Sequence, residues 1–83
     1  MRVLIVGIGE TGFYIASEFA DDNFEVTVID ENPEQLKKVS ASLNVAGILG
    51  SGTSLPTLEK AGVKSADLLI AATDPQEPAA RRR

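Results

Sequence analysis

The chain has no cysteine and no histidine. Disulfides and thiolate zinc sites are thereby excluded, as are Ser-His and Cys-His nucleophilic catalysis. The absence of cysteine fits a reducing cytosol. Long apolar runs are missing too. Val3–Val6 is far shorter than the ~20 residues that cross a bilayer, and it has neither the length nor the cleavage site of a signal peptide. Positive charge is scarce outside the end of the chain. Three of the eight cations are Arg81, Arg82 and Arg83; residues 1–80 keep five cations against twelve anions, a net charge of −7. So acidic a body is a poor partner for nucleic acid, and the arginine triplet reads as solvated charge. At 83 residues the chain suits one small domain of modest stability.

What is present is an alternation of strand and helix patterns. Val3–Val6 is continuously apolar, as in a strand buried on both faces of a parallel sheet. From Glu10 to Asp21, Gly12, Ile15, Ala16 and Phe19 share one helical face, and Asp21-Asp22-Asn23 ends it. Phe24–Asp30 is rich in β-branched residues and reads as a second strand. Asn32 then caps a helix with Pro33 at its first position and an apolar stripe of Leu36, Val39 and Leu43. Val45–Leu49 is a weaker third strand, Ser54–Ala61 a short helix closed by Gly62, and Leu68–Ala72 a fourth strand. The order βαβαβαβ implies an α/β, Rossmann-like half-domain: a four-stranded parallel sheet in the order 3-2-1-4 with right-handed crossovers. The first helix is expected on one face and the later crossovers on the other. Asp74-Pro75 and Glu77-Pro78 stop the pattern, so residues 1–74 form the domain and 75–83 a loose tail.

Gly7, Gly9 and Gly12 are spaced G-x-G-x-x-G between the first strand and the first helix. That context gives the motif its physics. Gly7 permits the tight turn, Gly9 lets backbone approach a pyrophosphate, and Gly12 lets helix pack closely on strand. N–H groups at the helix start then point at the anion. A turn with no ligand would not need three glycines at this spacing. Ile8, Glu10 and Thr11 lie in the same loop and are assigned to the site with it. Asp30 ends the second strand, 18 residues past Gly12. A carboxylate there accepts hydrogen bonds from the adenosine ribose and repels a 2′-phosphate, which favours NAD over NADP. The bland alternative is an aspartate that helps cap the next helix. Glu31 beside it faces solvent at the edge of the site. Gly50, Ser51 and Gly52 follow the third strand, where backbone can approach the adenine. Thr73 and Asp74 follow the fourth, beside the glycine loop. For both of these loops, ordinary loop chemistry is the competing reading.

The stretches GIGETGFYIA, EVTVIDENPEQL and LGSGTSLPTLEKAGVKSADLLIAATD resemble successive blocks of the nucleotide-binding domain of Trk-type potassium-uptake regulators, the family called TrkA-N, KTN or RCK. The resemblance covers residues 1 to about 77. It implies a Rossmann-like domain on the cytoplasmic side of a potassium channel or transporter, at the inner face of the membrane through that partner and not inserted itself. Such domains bind NAD(H) or ATP/ADP and assemble as homo-oligomers. By resemblance Gly7, Gly9 and Gly12 form the phosphate loop, Asp30 holds the ribose, Ser51 borders the adenine, and Thr73 and Asp74 border the distal phosphate or ribose. Ile8 and Thr11 depart mildly from the small and aliphatic residues expected there. The larger departure is the end: the family domain continues past Asp74 with a helix and a strand, so this chain reads as truncated.

NAD(H) is the first choice of cofactor, with ATP or ADP as the alternative; no metal and no catalytic residue is expected. The competing readings are the cofactor half of an NAD-dependent oxidoreductase and a folded remnant without regulatory activity. Tyr14 and Lys64 are the only candidate proton donors or acceptors outside the carboxylates, and neither sits at the carboxyl ends of the strands, where ligands bind in open parallel sheets. The fourth strand, apolar on both faces, is expected at a sheet edge where a second copy pairs with it.

Overall fold

A computed structural model describes residues 1–72. Four parallel strands run β1 (Arg2–Val6), β2 (Glu25–Asp30), β3 (Ala46–Leu49) and β4 (Leu68–Ala71). Their order across the sheet is β3-β2-β1-β4, as the crossover argument requires. Helices α1 (Glu10–Asp21), α2 (Pro33–Ser42) and α3 (Leu55–Lys60) connect them. A 3-10 turn over Val63–Ser65, which periodicity does not reveal, follows α3. Gly62 precedes it at φ 86°, the left-handed conformation of a helix-ending glycine.

One expectation is corrected. Helices α1 and α2 lie on the same face, where Ala16 and Val39 share a core with Val3, Ile5, Val26 and Val28. The strand order itself dictates this. Both connections step in the same direction, from β1 to β2 to β3, and right-handed crossovers moving one way fall on one face. Only the return from β3 to β4 carries α3 to the other side. Strand parity agrees: Leu4 and Ile29 are fully buried but point away from the α1–α2 core.

The end of α1 explains a second shift. Asn23 takes the left-handed conformation at φ 65°. Its N–H donates to the Ala20 carbonyl, and the Phe24 N–H donates to that of Phe19. The Phe19 and Phe24 rings meet with centroids 5.5 Å apart. This is the hydrogen-bond pattern and apolar clasp of a Schellman closure, with asparagine in the usual place of glycine. Phe24 is used up in that closure, so β2 begins at Glu25.

Candidate functional site

The carboxyl ends of β1, β2 and β3 converge on a cleft of about 280 Å³ lined by Val6, Gly7, Ile29, Asp30, Glu31, Gly50 and Gly52. Main-chain hydrogen bonds hold its walls. The Gly7 N–H donates to the Ile29 carbonyl at 2.8 Å, and the Gly50 N–H donates to the Asp30 carbonyl at 3.0 Å. Each loop is thus laid against the end of β2.

Two of the three glycines of the first loop have separate structural reasons. Gly7 sits at φ 96°, which side chains resist. Gly12 is buried, and a Cβ there would lie 2.0 Å from the Gly7 carbonyl oxygen, so α1 packs directly onto its own entry turn. Gly9 has neither reason. Its backbone is extended, φ −71° and ψ −158°, and a Cβ there would meet no atom of the described residues within 4 Å.

Helix α1 starts at Gly9 with no side-chain cap, and its first intrahelical bond is from the Phe13 N–H to the Gly9 carbonyl at 2.8 Å. Helices α2 and α3 are both capped. Asn32 Oδ1 accepts from the Glu34 N–H at 2.9 Å, and Ser54 Oγ accepts from the Thr57 N–H at 3.4 Å. Among the described residues, the first-turn N–H donors of α1 therefore keep no partner on an exposed segment, with the positive end of a twelve-residue helix dipole behind them.

Asp30 lines the cleft and is bonded to the loop that leads into this turn. Its Oδ2 accepts the Ile8 N–H and its Oδ1 accepts the Asn32 N–H, each at 2.8 Å. A carboxylate has about four acceptor positions, so two remain for ribose hydroxyls. The side chain that caps α2 is Asn32, not Asp30. Glu31 is exposed at the cleft rim, and among the described residues no lysine or arginine lines the cleft.

The remaining assigned residues divide. The Ile8 side chain is buried in the core, so its departure from a small residue is a packing choice; only its main chain belongs to the loop. Glu10 and Thr11 are exposed on the first turn of α1 and do not line the cleft. Gly50 and Gly52 line it, and their lack of a side chain also has an internal cause. A Cβ on Gly50 would come 2.8 Å from Thr57 Oγ1, and one on Gly52 2.2 Å from Val6 Cγ1. Ser51 Oγ lies 2.8 Å from Thr53 Oγ1 and accepts the Thr53 N–H, which folds the loop on itself. Thr73, Asp74 and the tail assigned to 75–83 lie outside the described residues. Sequence reasoning missed Val6 and Ile29 as cleft walls, although both immediately precede residues it had singled out.

A larger hollow of about 530 Å³ opens at the other end of the sheet, among Arg2, Glu25, Asn44, Ala46, Gly62 and others. It lies at the strands' amino ends. The short 3-10 turn after Gly62 starts beside it, and its charged wall is an exposed Arg2–Glu25 ion pair at 2.8 Å. Size alone does not make it the site; the convergence of loops and open donors does.

Comparison with known proteins agrees with this geometry. A family model described as the TrkA-N domain matches residues 3–81. The Trk system potassium uptake protein TrkA of Azorhizobium caulinodans is 37% identical over 73 residues, which are 88% of this chain and 16% of that protein. A TrkA homolog of Methanothermobacter thermautotrophicus is 34% identical over 77 residues, 93% of this chain and 36% of that one. Among solved structures, the Kef CTD of Shewanella denitrificans in AMP-bound form superposes with a TM-score of 0.74 at 25% identity, covering 95% of this chain and 47% of its own. The chain thus spans well under two thirds of the length of these relatives. With the glycine loop, the 3-2-1-4 sheet and a family match over nearly its whole length, the chain belongs to the TrkA-N domain family.

Proposed function

We propose that the chain is a non-catalytic, adenine-nucleotide-binding part of a potassium transport regulator, taking NAD(H) or ADP/ATP at the cleft. The observation that carries this reading is Gly9. Among the described residues, conformation and packing give no reason for glycine there, whereas a diphosphate lying against the first turn of α1 does. The orphan donors of that turn receive the phosphate, and Asp30 receives the ribose. The AMP-bound state of the Kef neighbour supports an adenine nucleotide as ligand. The names of the TrkA relatives support a potassium transport system, with its membrane subunit as partner and the cytoplasmic side of the membrane as location.

A regulatory role without catalysis fits the titratable groups. Histidine is absent. Tyr14 is exposed on α1, and Lys64 is in the 3-10 turn at the strands' amino ends. Neither reaches a ligand in the cleft, as a general acid or base must.

Titrating the purified chain with NADH, NADPH, ADP and ATP tests the reading. NADH or ADP binds, and NADPH binds about tenfold more weakly than NADH, because its 2′-phosphate meets Asp30 and Glu31 with no lining cation among the described residues to offset them. Binding by none of the four overturns the nucleotide assignment; equal affinity for NADH and NADPH at low salt removes Asp30 from the ribose.

Self-association belongs to the same proposal. Strand β4 is an outer strand, and Leu69 on it is 52% exposed. Such an edge pairs readily with a second copy. Sedimentation over a dilution series reads this: association appears below about 100 μM and is lost in Leu69→Lys, while a monomer throughout refutes it.

A further inference from the structure

We infer that Asp30 is a positioning residue for the glycine loop, not only an acceptor for the ribose, so that nucleotides without ribose hydroxyls also depend on it. The inference rests on the nucleotide reading of the cleft. It comes from where the carboxylate's hydrogen bonds already go. Oδ2 takes the Ile8 N–H, 22 residues away in sequence, in a part-buried bond of 2.8 Å. Oδ1 takes the Asn32 N–H at the same length. The residue's own carbonyl takes the Gly50 N–H. One residue at the end of β2 thus fastens the β1–α1 loop, the entry to α2 and the β3–α3 loop.

The bond to Ile8 matters most. Ile8 lies between Gly7, at φ 96°, and Gly9, which has no side chain to restrain it. The buried Ile8 side chain anchors the loop from the core side, and the Asp30 carboxylate anchors its N–H from the cleft side. Hydrogen bonds to an ionised carboxylate are about twice as strong as neutral ones. The bond also decides which amides serve a phosphate. The N–H groups of Gly7 and Ile8 are taken by β2, which leaves those from Gly9 onward at the head of α1. With Asp30 absent, the Ile8 N–H is released, the loop samples other conformations, and binding carries the cost of ordering it.

Two measurements on the full chain test this. The first is amide hydrogen exchange without ligand, followed by NMR at Ile8 with Ile5 and Val28 as controls. In Asp30→Ala, Ile8 exchanges roughly tenfold faster or more relative to the controls, as for loss of one charge-assisted bond. In Asp30→Asn, which keeps one carbonyl oxygen, protection is partly restored. Unchanged Ile8 exchange in Asp30→Ala overturns the inference. If that variant does not fold, Asp30→Asn carries the test: Ile8 exchange faster than in the unaltered chain supports the inference, and equal exchange overturns it.

The second measurement separates loop from ribose. ADP and 2′,3′-dideoxy-ADP are titrated against both proteins. A positioning role predicts that Asp30→Ala weakens the dideoxy ligand severalfold, though less than ADP. A loss confined to ADP makes Asp30 a ribose acceptor alone and overturns the inference. If the unaltered chain binds neither ligand, the ADP reading of the cleft fails, while the exchange experiment still decides whether Asp30 holds the loop.

Discussion

Helices α1 and α2 leave adjacent parallel strands and pack on the same face of the sheet, yet their first turns are finished in opposite ways. At α2, Asn32 caps a free N–H and Pro33 removes another, so the helix closes itself. At α1, the capping position is Gly9, which offers no side chain. The exposed turn that follows keeps its donors open among the described residues. The difference separates two uses of the same geometry. A helix start closed by its own side chain serves the fold, and one left open by a glycine that the fold does not need is available to an anion.

The comparison is sharpened first at Gly12, the glycine of the α1 loop that does serve the fold. Gly12→Ala places a methyl group 2.0 Å from the Gly7 carbonyl oxygen, against backbone that cannot yield cheaply. The expected loss is about 3 kcal/mol or more, the upper part of the overpacking range. In a domain this small it lowers the melting temperature by more than about 10 °C, read by calorimetry. A melting point within a few degrees of the unaltered chain would mean that α1 is free to shift off β1. Asn32→Ala is the counterpart at α2. It removes one side-chain cap and costs about 1 kcal/mol in denaturant unfolding. Its effect on nucleotide affinity is small, because Asp30 is reached by the main-chain N–H of Asn32, which remains. A large loss of affinity in this variant would show that the start of α2 is also part of the site.

The elements that the sequence made legible are those whose cause is local. Asn32-Pro33 announces a helix start because cap and proline act within one turn. The run Val3–Val6 followed by Gly7 announces a strand and its exit for the same reason. The spacing of Gly7, Gly9 and Gly12 between a strand and a helix pointed to the loop and to a separate duty for each. The sequence did not show the atoms behind those duties, the Gly7 carbonyl against Gly12 and the open space beside Gly9 among the described residues. Gly50 and Gly52 were legible as a loop near a ligand. That they also make room for Thr57 and Val6 is a matter of packing between elements far apart in sequence. The bond from Ile8 to Asp30 was hidden likewise, since it requires the register of β1 on β2. The shared face of α1 and α2 is different: it was already implied by the strand order and crossover handedness, and needed only to be carried through.

The central claim is that Gly9 is glycine for a ligand and not for the fold. The direct measurement is Gly9→Val, followed by unfolding and by titration with NADH and ADP on the same preparation. Stability changes by no more than about 0.5 kcal/mol, as for a surface substitution that meets nothing, while binding is lost because the side chain occupies the diphosphate path. Retained binding at the original affinity, with the fold intact, would contradict the account and leave the loop a turn between strand and helix.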